Sequence, residues 1–182
     1  MKKYFRTLLL LLLGMLVAIS GVSIKRISDI RDYGKLINYV GIVRGASQRV
    51  VKLETNGRPD DELTAYVEGI LNELITGQGV YGLVLADCRQ YQLDLDLLKD
   101  QWDHVKKEIG EVRQGARADA LIDSSEKLFE IANDTVFTIE QYSGEMAEKT
   151  ARMIFATALV SAAAFAFTVY FYIRKFFQLK VT

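Results

Sequence analysis

The chain has 182 residues, half of them hydrophobic, and its 23 basic and 23 acidic side chains cancel to zero net charge. That balance argues against nucleic acid as a partner, because phosphate binding needs a basic excess or patch. A single cysteine, Cys88, and a single histidine, His104, exclude an internal disulfide, a cysteine metal cluster and a His–His metal pair.

Lys2, Lys3 and Arg6 precede the uncharged run Leu8–Ile24, "LLLLLLGMLVAISGVSI", which is long enough to cross a bilayer as a helix. A cleaved signal peptide is the rival reading, since Ala18-Ile19-Ser20 resembles a small-residue cleavage site. A membrane span is preferred because a second block, Met153–Ile173, is a cleaner charge-free span, and because the first run continues without a break into the helical pattern that follows; the alternative is a cleaved protein with a C-terminal anchor. That first helix is predicted to reach about Glu54 and to stop at "TNGRPDD", where Asn56-Gly57 and Pro59 interrupt it. A second helix starts near Asp60, with Leu63, Val67, Ile70 and Leu74 as a heptad seam, and ends at "TGQGVYG". A third carries Tyr91, Leu95, Leu98, Trp102, Val105, Ile109 and Val112 at the same spacing. After a softer break around Gly115, a fourth runs from about Asp119, with Leu121, Leu128, Ala132, Ile139, Tyr142 and Met146 on one stripe. It enters a second uncharged run, Met153–Ile173, followed by Arg174, Lys175 and Lys180.

These elements predict an all-α fold: an antiparallel four-helix bundle between two transmembrane helices. The divisions are a cytoplasmic N-terminus at 1–7, a span at 8–24, an extracytoplasmic bundle at 25–152, a span at 153–173 and a cytoplasmic stub at 174–182. The basic flanks place both ends in the cytoplasm of an inner-membrane protein, and Tyr170, Phe171 and Tyr172 fit an interfacial belt. Lys25, Arg26, Lys149 and Arg152 run against the rule, since they lie at the outer side near the membrane. Ala158, Ala162 and Ala166 in the second span, small residues one turn apart, suit helix self-association.

Several motifs look chemical. "GQGVYG", Gly77 to Gly82, matches a dinucleotide fingerprint, but that motif needs a strand before it and a helix after it, whereas here a helix precedes it. Asp96, Asp100 and Asp103 share a helix face near Lys99, Lys106 and Lys107 and read as a solvated surface. His104 has no second ligand beside it, and Cys88 reads as a small apolar group. With no catalytic set, no enzyme activity, metal or cofactor is expected.

The informative stretch is "INYVGIVRGASQRVV", residues 37 to 51. Leu36, Val40, Val43, Ser47 and Val50 form one stripe; Ile30, Gly34, Ile37, Gly41, Arg44, Gln48 and Val51 form another. The combined face is wider than one helix contact needs. One stripe can fill the core, and the other, with small residues at Gly34 and Gly41, can meet a second copy. Across a two-fold axis Arg44 would face itself, and two guanidinium groups repel unless an anion lies between them. Ser47 and Gln48 stand beside it. The alternative is that Arg44 pairs with an acid on a neighbouring helix.

Ile37, Asn38, Gly41, Arg44, Ser47 and Arg49 resemble the P-box of nitrate/nitrite sensor histidine kinases. They are also similar to the equivalent helix of type IV pilus chemotaxis transducers, and related front ends occur on diguanylate cyclases. The resemblance implies a sensory domain of two-component or chemotaxis type. It implies a homodimer that binds a small anion, such as nitrate or another oxyanion, through Gly41, Arg44, Ser47, Gln48 and Arg49, and a cytoplasmic signalling output, fused in a longer chain or separate. Gly45, Ala46 and Gln48 depart from the family pattern in size. The competing expectation is a membrane-anchored structural or assembly module without a ligand.

Overall fold

The computed structural model describes residues 2–180; Met1, Val181 and Thr182 lie outside it. The side chains of Lys2, Lys3, Arg6, Leu8, Leu9, Leu11, Leu12, Tyr172, Lys175 and Lys180, on which part of the span and flank reading rests, also lie outside the described residues. Regular structure among the described residues is wholly helical: α1 (Lys2–Thr55), α2 (Asp61–Thr76), α3 (Arg89–Arg113) and α4 (Asp119–Lys180).

The helix ends follow local chemistry. Asp60 caps α2 by accepting the Leu63 N–H at 2.9 Å, with Asp61 and Glu62 in the first turn where the helix dipole favours acids. Gly77 ends α2 in the left-handed conformation at φ 66°, its N–H donating to the Glu73 carbonyl. The breaks predicted at "TNGRPDD", at "TGQGVYG" and around Gly115 are all present, as the gaps 56–60, 77–88 and 114–118.

The chain divides into two compact units, Ile30–Gly144 and the pair of segments Met1–Asp29 and Glu145–Thr182. In the first unit, all four helices contribute to one apolar core. Leu36, Val40, Val43 and Val50 of α1 meet Val67, Ile70, Leu71 and Leu74 of α2, with Leu95, Leu98, Trp102 and Val105 of α3 and Leu121, Leu128, Ala132 and Ile139 of α4. Each seam residue predicted for α2 and α3, and for α4 as far as Tyr142, is buried or half-buried there, while Met146 is half-buried in the other unit. Burial of side chains this size stabilises by roughly 1.5–3 kcal/mol each relative to exposure. Polar contacts fix neighbours around that core. The single tryptophan, Trp102, is fully buried and donates its indole N–H to Glu68 at 2.8 Å. Arg113 joins Glu54 at the end of α1 to Asp61 at the start of α2.

In the second unit, Ser23 and Thr150 are buried, and Ser23, Thr150 and Thr157 each donate to the carbonyl four residues earlier. Among the described residues, one helix, Asp119–Phe171, is long and apolar enough to cross a membrane, and its most apolar 18-residue stretch is unburied in the chain.

Candidate functional site

The two stripes on α1 separate cleanly by burial. Leu36, Val40, Val43, Ser47 and Val50 are at most 1% exposed and form the core side. Ile30, Ile37, Gly41, Arg44 and Gln48 are half-buried and Gly34 is exposed, while Val51 at the end of that stripe is buried. The second stripe flanks α4.

Arg44 donates from Nη1 to Asn133 Oδ1 of α4, and its guanidinium carbon stands 5.4 Å from the centre of the Phe129 ring. A guanidinium over an aromatic face is held by the ring quadrupole. The neighbouring-helix partner is therefore an amide and a ring, where the alternative reading of Arg44 called for an acid. Ser47 donates to the Arg44 carbonyl at 3.0 Å and lies in the core. Gln48 donates from Nε2 to the Ser125 carbonyl of α4 at 2.9 Å. Gly41 is half-buried, and a Cβ built on it would meet no heavy atom within 4 Å. Arg49 is exposed and on another side of α1. Arg44 and Gln48 thus share the α4 flank; Ser47 turns inward, and Arg49 stands apart. Phe129 and Asn133 were not foreseen, because a phenylalanine and an asparagine four residues apart carry no motif.

A second polar construction was also missed. Glu73 of α2 is buried, and its carboxylate accepts the backbone N–H of Tyr81 and of Leu83, each at 2.8 Å. Burial works against its ionisation, but these amides, that of Gly82, and Lys35 nearby outweigh it and hold the carboxyl below its ordinary range. Lys35 of α1 donates to the carbonyls of Tyr81 and Gly82, the latter at 2.9 Å. Tyr81 packs between Tyr39, tilted at 5.3 Å, and Tyr66, edge-on at 6.0 Å. The glycine-rich segment is thus a loop anchored to α1 and α2.

The acidic face of α3 is a charge network. Glu68 takes Lys99 at 3.0 Å and Lys106 at 2.6 Å, and Asp103 takes both lysines as well. Asp96 and Asp100 are exposed. His104 lies 3.2 Å from Glu108 with its side chain half exposed, and Cys88, half-buried, occupies the N-cap position of α3 without a side-chain cap bond. No family model, curated protein or solved structure matches this chain.

Proposed function

We propose that this chain is the extracytoplasmic sensing and transmembrane signalling module of a bacterial-type receptor, working as a homodimer. The observation that carries the reading is continuity. α1 runs as one helix through Leu8–Ile24 and the core stripe, and α4 runs as one helix from the core through Met153–Ile173. In this reading both apolar runs span an inner membrane, residues 25–152 face outward, and the four helices form an antiparallel bundle. The order of contacts supports the antiparallel assignment. Tyr33, Arg44 and Gln48 of α1 meet Tyr142, Asn133 and Ser125 of α4, so one numbering rises as the other falls.

The ligand in this reading is a small oxyanion at the two-fold axis. Arg44 is its main donor, Gln48 stands on the same flank, and Gly41 lets the partner helix approach. The resemblance of residues 37–49 to nitrate/nitrite sensors supports the choice. Arg44 has five N–H donors, so the Asn133 contact leaves others for an anion. A ligand that binds only one arrangement of the paired helices shifts the population toward it, and the unbroken helices α1 and α4 would carry the shift across the membrane to a cytoplasmic partner or a further domain.

Thermal unfolding of the full chain in detergent, titrated with nitrate, nitrite and other small oxyanions, tests this. A binding anion at a hundredfold excess over its Kd stabilises by about 2.7 kcal/mol, a readable rise in Tm, and Arg44→Ala removes the rise. A parent protein indifferent to every anion, or an Arg44→Ala protein that responds as the parent does, rules the site out. A second reading, a ligand-free assembly module, is favoured by one observation: Arg44, Ser47 and Gln48 all make hydrogen bonds within the chain. In that case Arg44→Ala changes Tm by the same amount with or without anions.

A further inference from the structure

The unit formed by the first 29 residues and those after Gly144 holds a groove of about 200 Å³, lined by Met15 and Ile19 of α1 and by Met153, Ala156, Thr157 and Val160 of α4. Its one hydroxyl, on Thr157, is already donated to the Met153 carbonyl at 2.8 Å, so the groove offers an occupant only apolar contact. Met15 and Val160 remain 54% and 47% exposed, and the groove therefore opens outward.

The cations that break the positive-inside pattern lie at one end of this groove. Arg26 follows Ile19 by seven residues, which is the same face of α1 about 10 Å further along the helix. Arg152 precedes Ala156 by four residues and Lys149 precedes Met153 by four, each one turn further along on α4. Arg26 is half-buried, and its hydrogen bond is to a thioether, Met146 Sδ, at 3.4 Å. A sulfur is a weak acceptor for a guanidinium. Arg152 pairs with Glu148 at 3.1 Å and Lys149 with Glu145 at 3.8 Å, but all four side chains are more than half exposed, and such pairs hold weakly. The unit thus presents cations directly above an apolar groove, which is the pattern of one phosphate attached to one hydrocarbon chain.

We infer that this is a binding site for an anionic phospholipid of the outer leaflet, with its phosphate on Arg26 and the Arg152/Lys149 turn and one acyl chain in the groove. The inference rests on the membrane-spanning reading above. It also gives three of the four outer basic residues, Arg26, Lys149 and Arg152, a function that loop charge counting does not.

Native mass spectrometry of the full chain released from detergent, after incubation with phosphatidylglycerol, phosphatidylcholine or inorganic phosphate, tests it. The expected result is retained phosphatidylglycerol in preference to phosphatidylcholine, and a drop of about thirtyfold in that retention for Arg26→Gln with Arg152→Gln, as two interfacial cations are removed. Arg26→Lys keeps the charge and should keep most of the retention. Ala156→Phe, which fills the groove, should reduce retention with the cations in place. Equal retention of both lipids overturns the site, and so does a double variant that behaves as the parent. Displacement of the lipid by millimolar inorganic phosphate would make it a free-phosphate site and overturns the lipid assignment. Alkaline extraction of the cell membranes separates the two levels. Release of the chain into the wash defeats the spanning reading and this site with it; a chain kept in the pellet without lipid preference defeats this site alone.

Discussion

Gly79 has no room for a side chain, because a Cβ built there would stand 2.0 Å from Glu73 Oε2. Gly79→Ala must therefore push the carboxylate off the amides of Tyr81 and Leu83 or displace the loop. The expected cost is about 1–3 kcal/mol, readable by chemical denaturation, whereas Gly69→Ala, at a helical glycine with open space, should stabilise. The same carboxylate sets part of the acid limit. Its folded pKa lies below the ordinary 4.5, so its contribution is fully present above that value and is lost as pH falls through the folded pKa. The Tm of Glu73→Gln should accordingly fall less between pH 5 and about pH 3 than the Tm of the parent. None of this was legible beforehand. A glutamate between Asn72 and Leu74 reads as a solvated charge, and only the fold brings amides eight and ten residues away onto its two oxygens. Arg44 was legible in part. Its position on a second, half-buried stripe was expected from spacing, but its partners on α4 lie 85 and 89 residues along the chain, and nothing in local pattern sets that register.

Helices were the most legible elements, because heptad spacing and punctuation are local properties. Asn56-Gly57, Pro59, Gly77 and Gly115 end or separate them where expected. What spacing does not reveal is how α4 is held axially. Gln48 of α1 and Gln101 of α3 donate to successive α4 carbonyls, Ser125 and Ser124, at 2.9 and 3.0 Å. Apolar stripes tolerate sliding, but two amides on neighbouring carbonyls define one position. Gln48→Ala and Gln101→Ala should each cost about 1 kcal/mol, the usual net value of a hydrogen bond. The double variant should depart from additivity, because both side chains act on the same turn. A denaturation cycle on the four proteins measures that coupling, and strict additivity would show that the glutamines act independently.

At the scale of the whole molecule, every residue of the apolar core, from Tyr33 to Ile139, belongs to the unit Ile30–Gly144. That segment should fold alone in water as a cooperative helical domain, and circular dichroism through a thermal melt checks it; a gradual, non-cooperative loss of signal would show that the core needs the rest of the chain. Orientation is tested separately, with an exported phosphatase fused after Asp87 or after Arg174. Activity is expected at the first site and not at the second, and activity at Arg174 would reverse the orientation. Trp102 supplies a readout for all these experiments. As the chain's one indole, fully buried and bonded to Glu68 across the α2–α3 seam, it makes the protein its own fluorophore. Its emission will shift to longer wavelength when α2 and α3 part and water reaches the ring. An axial step of α4 past α1 that leaves this seam closed will be spectroscopically silent. Fluorescence can therefore distinguish unfolding from a helix displacement within the native fold without a label: a displacement that leaves the tryptophan emission unchanged has occurred in the native state.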